Sequence, residues 1–470
     1  MTYPPTTALS ADTVSCYHGQ FKNVNEIKMN HQTQPVTDFV SLLDNINNVI
    51  FNMSQEEASA AVISGDAARV RAIDGQFAIV EKVGQQVFLA RSIGRPMRYF
   101  LAKQVAGPLL IVAERIDEIY AFLKTKNLHT QFHPSYTRMV PAHYVVRLEV
   151  IGCPDPNPVY TRYFEPKRNS LTNDLDKIGK AYIETLANEC EKWLRTIPAT
   201  EPVGVLFSGG IDSGSVFLVL YHLMLKLGLS PQRLKAFTLS VNNGPDAAQA
   251  HEFLDRLGLS LFLEVIDVPE SAVDYREAIK IIEDYKPQDL ESATMAMALC
   301  RQIRTLYSDW KYLADGDGGD ENLKDYPIEE NTELTIRSVL NNMMLYQEGW
   351  GVDKIKHSLT YSGGQSRGHV RSYAPCKLFG FKGFSPYALP NVIEVAEGIP
   401  FIQLTNWSQD ALYALKGEIV QRGVNAVTGF DMPVFEKRRF QLGAASETTF
   451  NTLFPKDEAA YRTYFHSLYA

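Results

Sequence analysis

Residues 203–220, VGVLFSGGIDSGSVFLVL, place a glycine pair, one carboxylate and three hydroxyls between an apolar run and a helical pattern. A strand that ends in Ser-Gly-Gly and passes straight into a helix presents unpaired backbone N–H groups and the positive end of the helix dipole at one point. Such a point binds anions. Gly209 and Gly210 let the backbone approach a phosphate without a Cβ in the way, and Ser208, Ser213 and Ser215 offer hydroxyls to its oxygens. Asp212 would repel that phosphate unless a cation lay between them, so the loop implies magnesium as well as phosphate. The pattern is neither a GxxxxGK(S/T) loop nor a GxGxxG turn. A second stretch, LADGDGGDENLKDYP (313–327), sets Asp317, Asp320 and Glu321 among three glycines. Acids so placed are costly unless a cation or polar ligand is near.

These residues need a frame that brings them together. The runs VGVLF, RLKAFTLSV, SLFLEVIDV and WKYLA alternate with helical patterns such as GSVFLVLYHLMLKLG and DAAQAHEFLDRLG, which predicts a parallel sheet covered on both faces. Both loops then fall at the C-terminal edge of the sheet, where open α/β proteins bind ligands. LDKIGKAYIETLANECEKWLRTI, just before the sheet, has apolar residues three and four apart and reads as a long helix. Up to about residue 160 the chain shows short β-like runs between turn residues (GQFAIVEKVGQQVFLARS, PLLIVAE, HYVVRLEVIG), which predicts an antiparallel, β-rich domain. A segment with four prolines, GCPDPNPVYTRYFEPKRNS, links the two parts, and 328–470 reads as helical and irregular. The expected fold class is α/β: a β-rich N-terminal domain, then a doubly wound parallel sheet with a helical C-terminal part.

At 470 residues the chain is too long for one ordinary core. Its 45 % hydrophobic and 21 % charged residues suit a globular protein, and the net charge of −8 speaks against nucleic acid as its main partner. Cys16, Cys153, Cys190, Cys300 and Cys376 are odd in number, far apart and never CxxC, so neither a disulfide framework nor a zinc site is expected. No uncharged apolar run of membrane-spanning length occurs and no signal-like segment opens the chain, so the expected location is the cytoplasm, away from membranes.

SGGIDS in its strand-loop-helix setting resembles the pyrophosphate loop of the N-type ATP pyrophosphatases, which split ATP between its α and β phosphates. GDGGDENLKDY resembles the second signature, G-x-G-x-D-E-x-x-x-x-Y, of the asparagine synthetase and β-lactam synthetase family. The resemblance implies that Ser208, Gly209, Gly210, Asp212, Ser213 and Gly316 bind ATP and that Asp212 and Asp320 hold Mg2+. Asp317 stands where glutamine-dependent members carry an acid and β-lactam-forming members a tyrosine. EKRRFQLGAAS fits the family's K-x-x-F-x-x-G, which makes Lys437 the lysine that neutralises the acyl-adenylate and the leaving phosphate. Lys416, in LYALKGEIV, is a second cation for the phosphates, and Glu348 a stand-in for the glutamate that pairs with tyrosine in β-lactam formation. FKGFSPYALPNVIEVAEGIPF resembles the segment E-x-R-x-P-F-L-D, with Lys382 and Phe384 at the usual Glu and Arg positions; Arg371, fifteen residues before Pro386, also has a family counterpart.

The stretch RAIDGQFAIV to VFLARSIGRPMRYF (71–100) resembles the family's glutaminase domain, with Ser92 in place of an aspartate. Glutamine-hydrolysing members expose an N-terminal cysteine; here the sequence opens Met1-Thr2-Tyr3, and R-G-P-D and N-G-E are absent from the first 70 residues. Cys16, an interior cysteine with no α-amine beside it, is read as structural. The expectation is a glutaminase-like Ntn-hydrolase fold over 1–160 without the hydrolase, and a synthetase domain over 161–470. The function implied is an ATP-dependent, AMP-forming carbon–nitrogen ligase. It would join a small carboxylate to ammonia, supplied free or by a separate glutaminase, or to an amine, peptides included. The alternatives are an intramolecular amide cyclase forming a β-lactam or peptide ring, an RNA-modifying enzyme, and a catalytically inactive scaffold or partner protein. A homodimer is a family-level expectation.

Overall fold

A computed structural model describes residues 38–150, 158–325, 328, 335–343, 367–435, 440–455 and 457–470, with the backbone alone at 367–370. Short strands fill its first part: β1 (Asp38–Ser41), β2 (Val49–Ile50), β3 (Gly75–Gln76), β4 (Ala78–Val83), β5 (Gln86–Arg91), β6 (Arg98–Gln104), β7 (Gly107–Ala113), β8 (Arg138–Met139), β9 (Tyr144–Glu149) and β10 (Val159–Arg162). They form two four-stranded sheets, ordered β1-β7-β6-β8 and β10-β9-β5-β4, and a small β2-β3 ribbon. β1 departs from the expected antiparallel pattern, running parallel to β7.

Side-chain alternation explains how the two sheets stack. Leu110 and Val112 point to the core shared with Leu89, Val146 and Leu148 of the other sheet. Leu109, Ile111 and Ala113, one position out of phase, instead meet Ile116, Ile119 and Leu123 of a helix (Ile116–Thr125). On the far side Ile79, Ala90 and Val145 pack under Ala58, Ala61 and Val62 of the Gln55–Ile63 helix. That helix starts at Ser54 with a capping box closed by Glu57. The layers therefore run helix, sheet, sheet, helix.

A 22-residue helix, Leu175–Thr196, leads into the second part, where Ile178, Tyr182, Ile183, Leu186, Cys190 and Trp193 form one buried stripe. The chain then alternates as the pattern predicts: β11 (Val203–Leu206), helix Ile211–Lys226, β12 (Leu234–Val241), helix Pro245–Arg256, β13 (Leu263–Val268), helices Tyr275–Ile282 and Pro287–Leu306, β14 (Tyr312–Ala314) and the short helix Gly319–Leu323. After the Arg367–Leu378 helix comes the fifth strand, β15 (Lys382–Phe384), at the start of the segment that resembles E-x-R-x-P-F-L-D. The order is β13-β12-β11-β14-β15, all parallel. The chain builds outward from β11 to β13 and then returns to lay β14 on the other side of β11. The crevice between the C-terminal ends of β11 and β14 is thus the switch point at which such sheets bind ligands.

The Gln409–Thr428 helix closes the crevice, packing Leu415, Ile419 and Val420 into the core that holds the Leu175–Thr196 stripe. Ala278, Ile279, Leu290 and Ala293 of the second part share a core with the outer face of the β7 sheet. Among the described residues no helix is long and apolar enough to cross a membrane.

Candidate active site

The loop leaving β11 turns sharply at Gly209, whose φ is +70° and where a Cβ would lie 2.9 Å from the main chain of Ala250. Only glycine fits there. Gly210 caps the following helix without a side-chain bond to its first N–H groups, which leaves that helix start able to take an anion. Ser213 Oγ accepts from the Ser208 N–H at 3.2 Å and lies 3.3 Å from Ser208 Oγ, and Ser208 Oγ accepts from the Gly210 N–H at 3.3 Å. Both hydroxyls thereby face the same small cradle. Ser215 turns the other way and bonds Tyr387 Oη at 2.6 Å, in the buried layer beneath the loop.

The acidic loop after β14 presses directly on this cradle. A Cβ on Gly316 would lie 2.7 Å from Ser213 N, and one on Gly319 would lie 2.2 Å from Asp212 Oδ1. Glycine at both places is therefore a condition for the two loops to meet. Lys416 enters the gap from the Gln409–Thr428 helix. Its ammonium, 3 % exposed, donates to Asp212 Oδ2 at 2.6 Å and to Asp320 Oδ1, and lies 3.5 Å from Asp325 Oδ2. Burial alone would lower the pKa of this ammonium, but Asp212, then Asp320 and Asp325, hold it well above the usual lysine value. One buried cation thus ties both loops together.

Behind this pair lies a second group of acids. Asp315 is buried; its Oδ1 accepts from the Asp317 N–H at 3.0 Å and its Oδ2 from Ser385 Oγ at 2.9 Å. Burial, against those two hydrogen bonds, pushes its carboxyl up to about 7. Asp317 is raised well above the carboxylate range, by burial first and then by the Asp315 charge, while Ser372 and Arg371 oppose the shift. Glu321 is raised as well, by burial and then by Asp320. Arg371, whose charge acts on Asp317 and Glu321, gives its Nε to Asp289 Oδ1 at 2.9 Å.

Of the residues singled out in the sequence, the structure brings Ser208, Gly209, Gly210, Asp212, Ser213, Gly316, Asp320 and Lys416 to one spot, with Asp317 beside it. Lys437 and Glu348 lie outside the described residues. Lys382 is exposed and Phe384 stacks on Trp193 with centroids 4.4 Å apart, so neither takes up the role of the Glu and Arg usual at those positions. Asp315 and Asp325 escaped sequence reading; the one signal was their presence at either end of the same acidic loop. Ser92 is buried, its Oγ accepting from the Phe77 N–H at 3.0 Å.

The donors suit a hard cation: carboxylate oxygens of Asp212 and Asp320 converge on one point, and that point already holds the Lys416 ammonium. Among the described residues no three Asp, Glu, His or Cys side chains gather into a metal-binding group. Mg2+ here would need phosphate oxygens and water as its remaining ligands, the usual manner of magnesium bound with a nucleotide.

Fold and crevice define an α/β protein whose glycine-rich loop after β11 and acidic loop after β14 meet at the switch point of a parallel sheet. Residues 194–369 match the asparagine synthase family model. It is 22 % identical over 333 residues to the glutamine-hydrolysing asparagine synthetase of Gallus gallus, a match covering 66 % of this chain and 54 % of that protein. It is 28 % identical over 167 residues to a probable asparagine synthetase of Acanthamoeba polyphaga mimivirus, covering 34 % of this chain and 28 % of the relative. The chain thus spans about half, or less, of the length of these relatives. Among solved structures, NMN synthetase from Francisella tularensis aligns with a TM-score of 0.22 at 18 % identity, over 32 % of this chain and 59 % of that one, a likeness too slight to build on.

Proposed function

We propose that the protein is an ATP-dependent, AMP-forming synthetase that activates a small carboxylate and passes the acyl group to ammonia or an amine. The observation that carries this reading is the meeting of the Ser208–Ser213 cradle and the acidic loop around Lys416 at the sheet's switch point. In this reading the cradle N–H groups and the Ser208 and Ser213 hydroxyls bind the β and γ phosphates of ATP. The substrate carboxylate attacks the α-phosphorus, pyrophosphate leaves, and the acyl-adenylate forms. Asp212 and Asp320 would hold Mg2+, which supplies positive charge to the leaving pyrophosphate. Lys416 then shares its ammonium between these acids and the phosphates, and Lys437 neutralises charge at the α-phosphate. Asp317 takes the proton from the attacking nitrogen.

The 1–160 region serves as a glutaminase-like domain that has given up hydrolysis; it lacks the R-G-P-D and N-G-E signatures. The nitrogen therefore comes from ammonia, from a separate glutaminase or from an amine. Asp317, in place of the tyrosine of the β-lactam-forming branch, favours an intermolecular amine over ring closure.

Pyrophosphate exchange tests the reading. With Mg-ATP and pooled small carboxylates, labelled pyrophosphate should enter ATP, and Asp212→Asn should abolish the exchange. No exchange with any pool, together with no ATP binding by calorimetry, would favour the inactive scaffold.

A further inference from the structure

Asp315 has no part in the proposed reaction, yet at 3 % exposure it is more enclosed than Glu321 at 6 %. Among the described residues its two hydrogen-bond donors are neutral: the Asp317 N–H and the Ser385 hydroxyl. The groups facing the Asp315–Asp317 pair come from every element around it. Among the described residues the Arg367–Leu378 helix supplies Arg371, Ser372 and the Cys376 thiol, with Asp289 and Cys300 of the Pro287–Leu306 helix one contact further back on Arg371 and Cys376, and the helix of the acidic loop supplies Glu321. The sole cation of that set, Arg371, is engaged with Asp289 at 2.8 Å. A buried carboxylate thus stands directly behind the acid that is read as the proton acceptor.

We propose that Asp315 is the positioning residue for Asp317: it fixes the Asp317 main chain by accepting its N–H, and its buried charge decides when the Asp317 carboxyl gives up its proton. This rests on Asp317 being the proton acceptor of the amide-forming step. In that step the nitrogen lone pair makes the C–N bond, the acyl–oxygen bond breaks with its electrons leaving on AMP, and one N–H proton moves to Asp317. Asp315 exchanges nothing. Two acids this close lose their protons in two steps that belong to the pair, and the upward push of burial on both carboxyls agrees with the geometry.

Asp315→Asn keeps an oxygen to accept the Asp317 N–H and removes the charge; Asp315→Ala removes both. In the full chain with carboxyl-labelled aspartate, carbon NMR across pH follows Asp317 directly, with Asp317→Asn assigning its signal. Asp315→Asn should move the Asp317 titration to lower pH. It should also raise the variant-to-parent kcat ratio at the acid end by about threefold over its value at the alkaline end, with KM unchanged. Asp315→Ala should lose kcat at every pH. If Asp315→Asn leaves the Asp317 titration in place, or lowers thermal stability alone, the inference is wrong. Should Asp315→Asn not fold, Asp315→Ser carries the same test. Turnover decides the reading of Asp317 and the titration decides the role of Asp315, so the two fail separately.

Discussion

Replacing Lys416 by Met removes one ammonium and keeps a straight chain of similar volume, so little cavity forms. What remains is Asp212, Asp320 and Asp325 facing one another across the former ammonium position, with side chains 21 %, 35 % and 9 % exposed. Removing one partner of a buried ion pair costs about 3–5 kcal/mol. Asp320, a third exposed, keeps part of its hydration, so its share is discounted and about 3 kcal/mol is the working figure. For a unit of this size one kcal/mol moves the midpoint by roughly 1–1.5 °C, so the Tm falls by roughly 3–5 °C. Calorimetry in EDTA and then in rising Mg2+ is the assay. Without nucleotide, Mg2+ should move the parent Tm little, because a cation already sits between the acids, and should restore part of the loss in Lys416→Met. A variant Tm within a degree or so of the parent, or equal Mg2+ stabilisation of both proteins, would refute the view that Lys416 is the cation joining the loops.

Gly319→Ala puts a methyl where Asp212 Oδ1 lies 2.2 Å away, so the Asp212 carboxylate must leave Lys416 or the loops must part; calorimetric ATP binding should be lost while the circular dichroism spectrum stays that of the parent. Glu283 accepts from the Asp117 N–H at 3.0 Å and pairs with Arg98, and burial, against Arg98 and Arg115, raises it from 4.5 to about 7. A carboxyl raised on folding contributes stability below its unfolded value and loses it as pH climbs through about 7. The urea midpoint of Glu283→Gln should therefore gain on the parent between pH ~5 and ~8, and a constant difference would count against the assignment. Phe384→Ala, at 1 % exposure and stacked on Trp193, should cost about 3–5 kcal/mol in denaturant unfolding. Lys382→Glu, on the exposed end of β15, should stay within about 0.5 kcal/mol.

The alternating strands and helices from 203 to 314 were legible because parallel strands are buried on both faces and read as largely apolar runs: Val203 to Leu206 carries no polar side chain, and Leu234 to Val241 carries only Lys235, Thr238 and Ser240 among its eight residues. SGGIDS was legible because a loop that must clear Ala250 and expose its N–H groups has few sequences open to it. β15 was hidden: three residues carry no period, and Lys382 and Phe384, two apart and so on one face of the strand, differ in burial because only Phe384 reaches Trp193. Lys416 could be suspected only as a cation for phosphate, since nothing in LYALKGEIV says that its helix buries it against two loops some 90 and 200 residues away. Asp315 looked like one more acid in a glycine-rich turn. Its burial depends on Ser385 arriving from the neighbouring strand, a contact set by tertiary packing.

Phosphorus NMR of the full chain turning over Mg-ATP with its carboxylate and nitrogen substrates tests the central claim most directly. AMP and pyrophosphate appearing together, one of each per amide formed, and neither from Asp212→Asn, is the predicted result. ADP and inorganic phosphate in their place would mean that ATP is cleaved at its γ phosphate, and the roles assigned to the Ser208–Ser213 cradle and to Lys416 would be wrong.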